Sequence, residues 1–234
     1  IRDYKVTGVQ TCALPISMRA RIIFFDKRDV KDPPLTYLEL ADARYKGQVC
    51  SRSSTNSYTQ TLLAAIIENH GEKVAKDWAR GVVKNFARPP QGGDTDQLRA
   101  LISGECNISL SNTYYFARSL RTKVKGLSVE GQSEIGWIFP SQGSEGAHMN
   151  LSGGGVAAHA PNRANAIKFL EYLTDEKAQQ YFSAGNDEYP AVPGVALSPS
   201  VAALGFFKPD DVDLSQVAKN LPTAQVIFNE VGWK

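Results

Sequence analysis

Short strand-like runs alternate along this chain with helical stretches of roughly 10–15 residues, and that alternation limits the fold more than any other feature. Arg21–Phe25 is an apolar run closed by Asp26, Lys27 and Arg28, which predicts a buried strand. Gly47–Cys50, Cys106–Leu110, Gly136–Phe139 and His148–Ala158 predict further strands, the last interrupted by Gly153, Gly154 and Gly155. A helix is predicted from Tyr58 to His70, with Leu62, Leu63, Ile66 and Ile67 on one face and Gly71 as its stop. Another spans Glu72–Phe86, where Val74, Trp78, Val82 and Phe86 form one stripe. Asp94 or Thr95 caps a helix that ends before Gly104, and Ser111-Asn112 caps one that opens Thr113-Tyr114-Tyr115. Helices over Asn162–Leu173 and from a Thr174 cap to Phe182 follow, then Pro-rich loops and a last short helix ending near Trp233. Leu38–Ala43 reads as a short helix or turn. The expected class is α/β with mostly parallel strands. In such folds ligands sit at the carboxyl ends of strands, where helix N-termini point inward.

Composition narrows the function classes. With 42% hydrophobic and 21% charged residues among 234, the chain reads as globular. A net charge of +2, with Lys and Arg dispersed, gives no footprint for nucleic acid. No apolar run reaches the ~20 residues that span a bilayer. Residues Ile1–Ser17 show neither helical nor strand periodicity and lack the parts of a signal peptide. They read as a non-native stretch resembling translated sequencing-adapter read-through, and are set aside with Cys12. Cys50 and Cys106 then remain, as two buried thiols or as one disulfide; neither has the close Cys or His partner of a zinc motif.

Two strand-to-helix segments carry unusual residue sets. Tyr114 and Tyr115 follow directly on the Asn112 cap, in the first turn of a helix, where the dipole favours negative charge. A tyrosine with pKa ~10 does not ionise unaided at neutral pH, but a trivalent cation displaces its proton. Phenolate is a hard oxygen donor suited to such a cation. Tyr58 opens a second helix, after a polar loop in which Ser53, Ser54, Thr55, Asn56 and their N–H groups offer an anion site. Arg118, one turn beyond the tyrosine pair, is placed to offset phenolate charge. The bland alternatives are one core and one surface ring for Tyr114-Tyr115, an ordinary cap for the Ser-rich loop, and a surface role for Arg118. His70 and His159 read as solvated. His148 begins a strand without an evident partner. No nucleophile–base set stands out, and Gly153-Gly154-Gly155 lacks the lysine of a P-loop; it reads as a place where two backbones pack closely.

From about Arg19 to Lys234 the chain resembles the iron(III)-binding periplasmic proteins of bacterial ferric-iron ABC transporters. The matching stretches are Lys46–Tyr58 (KGQVCSRSSTNSY), Phe86–Asp96, Gly104–Arg118 (GECNISLSNTYYFAR), Ile138-Phe139-Pro140, His148–Val156, Asn165–Gln179 and Gly185–Pro193. The Asn-x-Tyr-Tyr motif is the specific one. The resemblance implies a type II periplasmic-binding-protein fold: two α/β lobes joined by a hinge and closing on the ion. It implies Tyr58, Tyr114 and Tyr115 as Fe(III) ligands, with Ser53, Asn56, Asn112 and Arg118 around them or around a synergistic anion such as carbonate or phosphate. It further implies a monomer, periplasmic or lipid-anchored outside the cell membrane, that delivers iron to an inner-membrane ABC transporter permease. In an oxidising compartment Cys50 and Cys106 could pair. Family members begin with most of one lobe, which this sequence lacks. Residues 18–141 are accordingly expected to form the second lobe with a hinge strand at Arg21–Phe25. Residues 142–191 are expected as a remnant of the first lobe, and 192–234 as a return to the second. A same-fold binder of an anion, polyamine or thiamine, an enzyme on that fold, and a non-functional fragment are the competing readings.

Overall fold

The computed structural model describes residues 13–234. In chain order the elements are β1 (Ala13–Asp26), 3-10 turns at Leu38–Ala41 and Ala43–Tyr45, β2 (Val49–Cys50), α1 (Ser57–His70) and α2 (Glu72–Lys84). Then come α3 (Asp94–Ser103), β3 (Ile108–Asn112), α4 (Thr113–Arg121), α5 (Val129–Glu134), β4 (Ile135–Ile138) and β5 (Met149–Gly155). The chain closes with α6 (Arg163–Leu173), α7 (Glu176–Asn186), β6 (Tyr189–Pro190), α8 (Pro199–Ala202) and α9 (Leu214–Val231).

β1 belongs to two sheets. Its first part pairs antiparallel with β5, from Ala13↔Gly155 to Ala20↔Met149, and with β6 at Ser17 and Met18. From Arg21 onward it runs antiparallel to both β3 and β4. Only β2 and β3 pair in parallel among the described strands. The expectation of a mostly parallel sheet is therefore corrected. Helical crossovers do make β2, β3 and β4 run the same way, but β1 lies between β3 and β4 and runs against them. It enters from the other sheet, so no crossover helix fixes its direction.

This position explains the apolar run. Ile23 joins a core formed by Leu62, Leu63, Trp78, Val82, Phe228 and Trp233. Ala20, Ile22 and Phe24 join the opposite core with Leu98, Leu101, Phe116 and Ile135. A strand covered on both faces has no polar face to show.

Several boundaries differ from expectation. β1 begins at Ala13, so five residues set aside from the fold belong to the sheet, while Cys12 lies outside the described residues. Backbone pairing to a glycine-rich partner needs no side-chain periodicity, so the residue pattern carries no sign of it. The glycines do not interrupt β5: Gly153 and Gly154 pair with Pro15 and Leu14. A Cβ on Gly154 would lie 2.7 Å from Leu170 Cδ2, and one on Gly153 3.2 Å from the Leu14 carbonyl oxygen. Close packing is thus their role, as expected. α9 is long, not short, and runs through Pro222; burial of Val217, Ala224, Ile227 and Phe228 outweighs the lost hydrogen bond. α2 ends at Lys84, and its buried face is Ala75, Trp78, Ala79 and Val82, with Val74 exposed.

Two cross-links fasten the layers. Cys50 and Cys106 form a disulfide with Cα atoms 5.9 Å apart, resolving the two alternatives the spacing allowed. Asp187, fully buried, accepts hydrogen bonds from Arg121 Nε (2.9 Å) and Nη2 (2.7 Å) and from Ser200 Oγ, joining α4, α7 and α8. α6 contributes no buried side chain, and Ile167, Phe169 and Tyr172 on it are exposed. No helix among the described residues is long and apolar enough to cross a membrane.

Candidate metal-binding site

The carboxyl ends of β2 and β3 lie side by side in the parallel pair, and the chain leaves each of them into a tyrosine-bearing helix. After β2 a polar loop leads to Asn56, whose Oδ1 accepts from the Tyr58 N–H at 3.0 Å and caps α1. After β3, Asn112 occupies the N-cap position of α4 but makes no capping bond with its side chain. Its Oδ1 instead accepts a long 3.4 Å hydrogen bond from Arg21 Nη1.

These two helix starts bring the three tyrosines together. The rings of Tyr114 and Tyr115 lie 4.0 Å apart, tilted by 33°. The hydroxyls of Tyr115 and Tyr58 are neighbours of the Tyr114 hydroxyl. Burial, followed by those two neighbouring hydroxyls, pushes the Tyr114 phenol above its ordinary pKa, so it is neutral at physiological pH. All three side chains are half-buried, with Tyr115 packed against the Phe116 core.

Three arginines line the cluster, each also near a carboxylate: Arg19 by Glu188, Arg52 by Asp94 and Arg118 by Asp187. The Arg118 guanidinium stands 5.5 Å from the Tyr114 ring centroid. Arg19 and Arg52 stand 5.6 and 5.7 Å from that of Tyr58. Such an arrangement suits phenols that become phenolates, because the guanidiniums offset the charge left when a cation displaces the protons. Among the described residues no group of three His, Cys, Asp or Glu side chains is placed to hold a metal. The convergent hard donors are the phenol oxygens.

The other sequence-derived residues fall into place unevenly. Ser53 Oγ bonds within its own loop, to Thr55 Oγ1 at 3.0 Å and to the Thr55 N–H at 3.2 Å. The N–H groups of Thr55, Tyr58 and Thr59, expected to be open to an anion, are accepted by Ser53 Oγ, Asn56 Oδ1 and the Asn56 carbonyl. Tight turn geometry satisfies them locally. Asn112 Nδ2 and Thr113 Oγ1, at the start of α4, are buried without a partner among the described residues. His70 is not merely solvated: its Nε2 lies 3.1 Å from Glu145 Oε1. His148 is buried, with Nδ1 3.8 Å from Asp210.

Sequence reasoning passed over three residues here. Arg52 sat inside the quoted polar loop and was legible there as the one charge. Arg19 and Asp94 gave no local signal, since Arg19 meets Tyr58 only through tertiary packing and Asp94 meets only residues that flank the tyrosines. Asp94, read as a cap, is the first residue of α3 and is fully buried.

A sheet-crossing strand, with ligand-type side chains on helix starts beside the crossing, defines an α/β binding protein. The chain belongs to the bacterial extracellular solute-binding protein family, whose model matches residues 5–203. Iron uptake protein A1 of Synechocystis is 45% identical over 217 residues, which cover 92% of this chain and 60% of the relative. Iron uptake protein A2 of the same organism is 40% identical, over 93% of this chain and 64% of the relative. The chain thus spans less than two-thirds of the length of these curated relatives. Trichodesmium FutA (IdiA), in complex with iron and citrate ligands, is 43% identical and superposes with a TM-score of 0.90 over 95% of this chain and 70% of that one. The apo ferric ion-binding protein A of Pasteurella haemolytica gives 0.87 at 40% identity, over 94% and 69%. The fold is that of the type II periplasmic-binding proteins, as the motif stretches implied.

Proposed function

We propose that this chain is part of an extracytoplasmic solute-binding protein that holds ferric iron through tyrosinates and hands it to an ABC transporter permease in the inner membrane. Tyr58, Tyr114 and Tyr115 are the proposed ligands. The observation that carries the reading is their convergence: the Tyr114 and Tyr115 rings lie 4.0 Å apart, the Tyr58 and Tyr115 hydroxyls neighbour that of Tyr114, and Arg19, Arg52 and Arg118 stand over the rings. The names of the relatives, which refer to iron uptake and ferric iron binding, support the same cargo.

Chemically, each ligating phenol gives up its proton, and Arg19, Arg52 and Arg118 offset the charge of the resulting phenolates. The unpartnered Asn112 Nδ2 and Thr113 Oγ1 would serve an anion that completes the metal's shell, such as carbonate, phosphate or a carboxylate. Asn56 and Ser53 hold the Tyr58 loop in shape. The protein is read as a monomeric binder, not a catalyst, in an oxidising compartment that keeps Cys50–Cys106 formed. Residues 18–141 and 192–234 are read as one lobe and 142–191 as part of the other, with β1 as the hinge strand between their sheets.

Titration with ferric citrate tests the reading. A visible tyrosinate-to-iron charge-transfer band is expected in the native chain and absent from a Tyr114→Phe, Tyr115→Phe double variant. A band undiminished by the double substitution would rule Tyr114 and Tyr115 out as ligands.

A further inference from the structure

The Asp94 carboxylate touches three segments that flank the tyrosine cluster. Its Oδ2 accepts from Arg21 Nη1 at 2.7 Å and from the Asn112 N–H at 2.8 Å. Its Oδ1 lies 3.4 Å from Arg52 Nη1. Arg21 is the residue at which β1 passes from one sheet to the other, and its side chain is 1% exposed against 0% for Asp94. Asn112 is the last residue of β3 and leads into Tyr114 and Tyr115. Arg52 stands over the Tyr58 ring, and its carbonyl accepts from Trp233 Nε1 at 3.1 Å. Ser111 Oγ also donates to the Asp94 carbonyl, at 3.3 Å.

A fully buried carboxylate keeps its charge only when paired and hydrogen-bonded, and here all of its bonds go to these three segments. We propose that Asp94 is the positioning residue of the site, which fixes the Tyr58 loop, the Tyr114-Tyr115 helix start and the strand crossover in one mutual arrangement through Arg52, Asn112 and Arg21. It touches no phenol. It acts as an outer-shell group does at a metal centre, where loss of such a partner costs about 10–100-fold in metal affinity. The inference rests on the ferric-iron reading proposed above.

The test compares Asp94→Asn with Asp26→Asn. Asp26 is likewise a buried carboxylate held by an arginine, Arg28, but it ends β1 far along the strand from Arg21. Each folded variant is titrated with ferric citrate, recording affinity and the wavelength of the charge-transfer band, with thermal unfolding followed by circular dichroism. Asp94→Asn is expected to lose about 10–100-fold in affinity and to shift the band. Asp26→Asn is expected to lose thermal stability while keeping both. An Asp94→Asn protein that binds and absorbs like the native chain would overturn the inference. So would parallel losses in both variants that follow only their unfolded fractions. Should Asp94→Asn not fold, the Arg21→Met, Asp94→Leu double variant decides, because replacing a buried ion pair by apolar side chains is often neutral for stability. Native affinity in that double variant would overturn the inference, and a loss with intact folding would support it. A native chain without the band would remove the ferric reading and this inference together. A band lost in Tyr114→Phe, Tyr115→Phe but unshifted and titrating with native affinity in Asp94→Asn would remove the inference alone.

Discussion

Arg21 and Asn112 are paired across β1 and β3, and this one register position is where β1 changes sheets and where β3 gives way to the tyrosine helix. Tyr114 and Tyr115 thus begin two residues from the position at which the two sheets share a strand, and Asn150 of β5 accepts a hydrogen bond from Thr61 Oγ1 of α1 at 2.9 Å.

Tyr58 should matter separately from the tyrosine pair. It comes from another helix and stands between Arg19 and Arg52. Tyr58→Phe removes only one oxygen from a half-buried ring, so the fold should be unchanged. The charge-transfer band should weaken without vanishing, and iron affinity measured against citrate should fall at least about tenfold, or ~1.4 kcal/mol. An unchanged affinity would leave Tyr58 as a spectator.

Iron binding should release protons. In the metal-free chain the Tyr114 phenol lies above its ordinary pKa, through burial and then its two phenol neighbours, and so is protonated at neutral pH. Ligation favours the deprotonated form. Affinity should then rise as pH rises and fall as pH falls, by about tenfold per pH unit for each proton released. Competition titrations at two pH values, with proton release recorded in weak buffer, check the sign and the count.

The disulfide should be a main support of the tyrosine lobe. It closes a loop with a sequence separation of 56 between the end of β2 and the approach to β3. Chain-entropy arguments put such a loop at about 4 kcal/mol, with measured cases commonly at 2–4 kcal/mol. Reduction, or Cys50→Ser with Cys106→Ser, should lower the unfolding free energy by an amount in that range, read as a lower denaturant midpoint. An unchanged midpoint would show that packing alone holds the two strands.

Gly154 should not tolerate a side chain. An added Cβ meets Leu170 Cδ2 at 2.7 Å and Ile16 Cδ1 at 3.0 Å. Gly154→Ala should destabilise by about 1–3 kcal/mol. The measurement also tests whether residues 13–16 contribute to the folded chain, since a mild cost would mean that β1 and α6 give way freely there.

Most of the helices, and the candidate tyrosines, were legible along the chain alone. Leu62, Leu63 and Ile66 repeat at helical spacing, Asn56 is a capping side chain next to Tyr58, and Tyr114-Tyr115 follow the last residue of a strand, so these features are local in the chain. The resemblance likewise lay in contiguous stretches. The direction of β1, the inclusion of Ala13–Ser17 in a sheet, the Cys50–Cys106 pairing and the contacts of Asp94 were not legible there and came with the fold. Each of these joins residues distant in sequence. Strand direction follows from which sheet supplies the neighbours, and a buried carboxylate follows from where its arginines arrive. Periodicity and spacing report a residue's own element and its exposed or covered faces. They do not report which distant partner covers it, and at this site the distant partners set the geometry of the phenols.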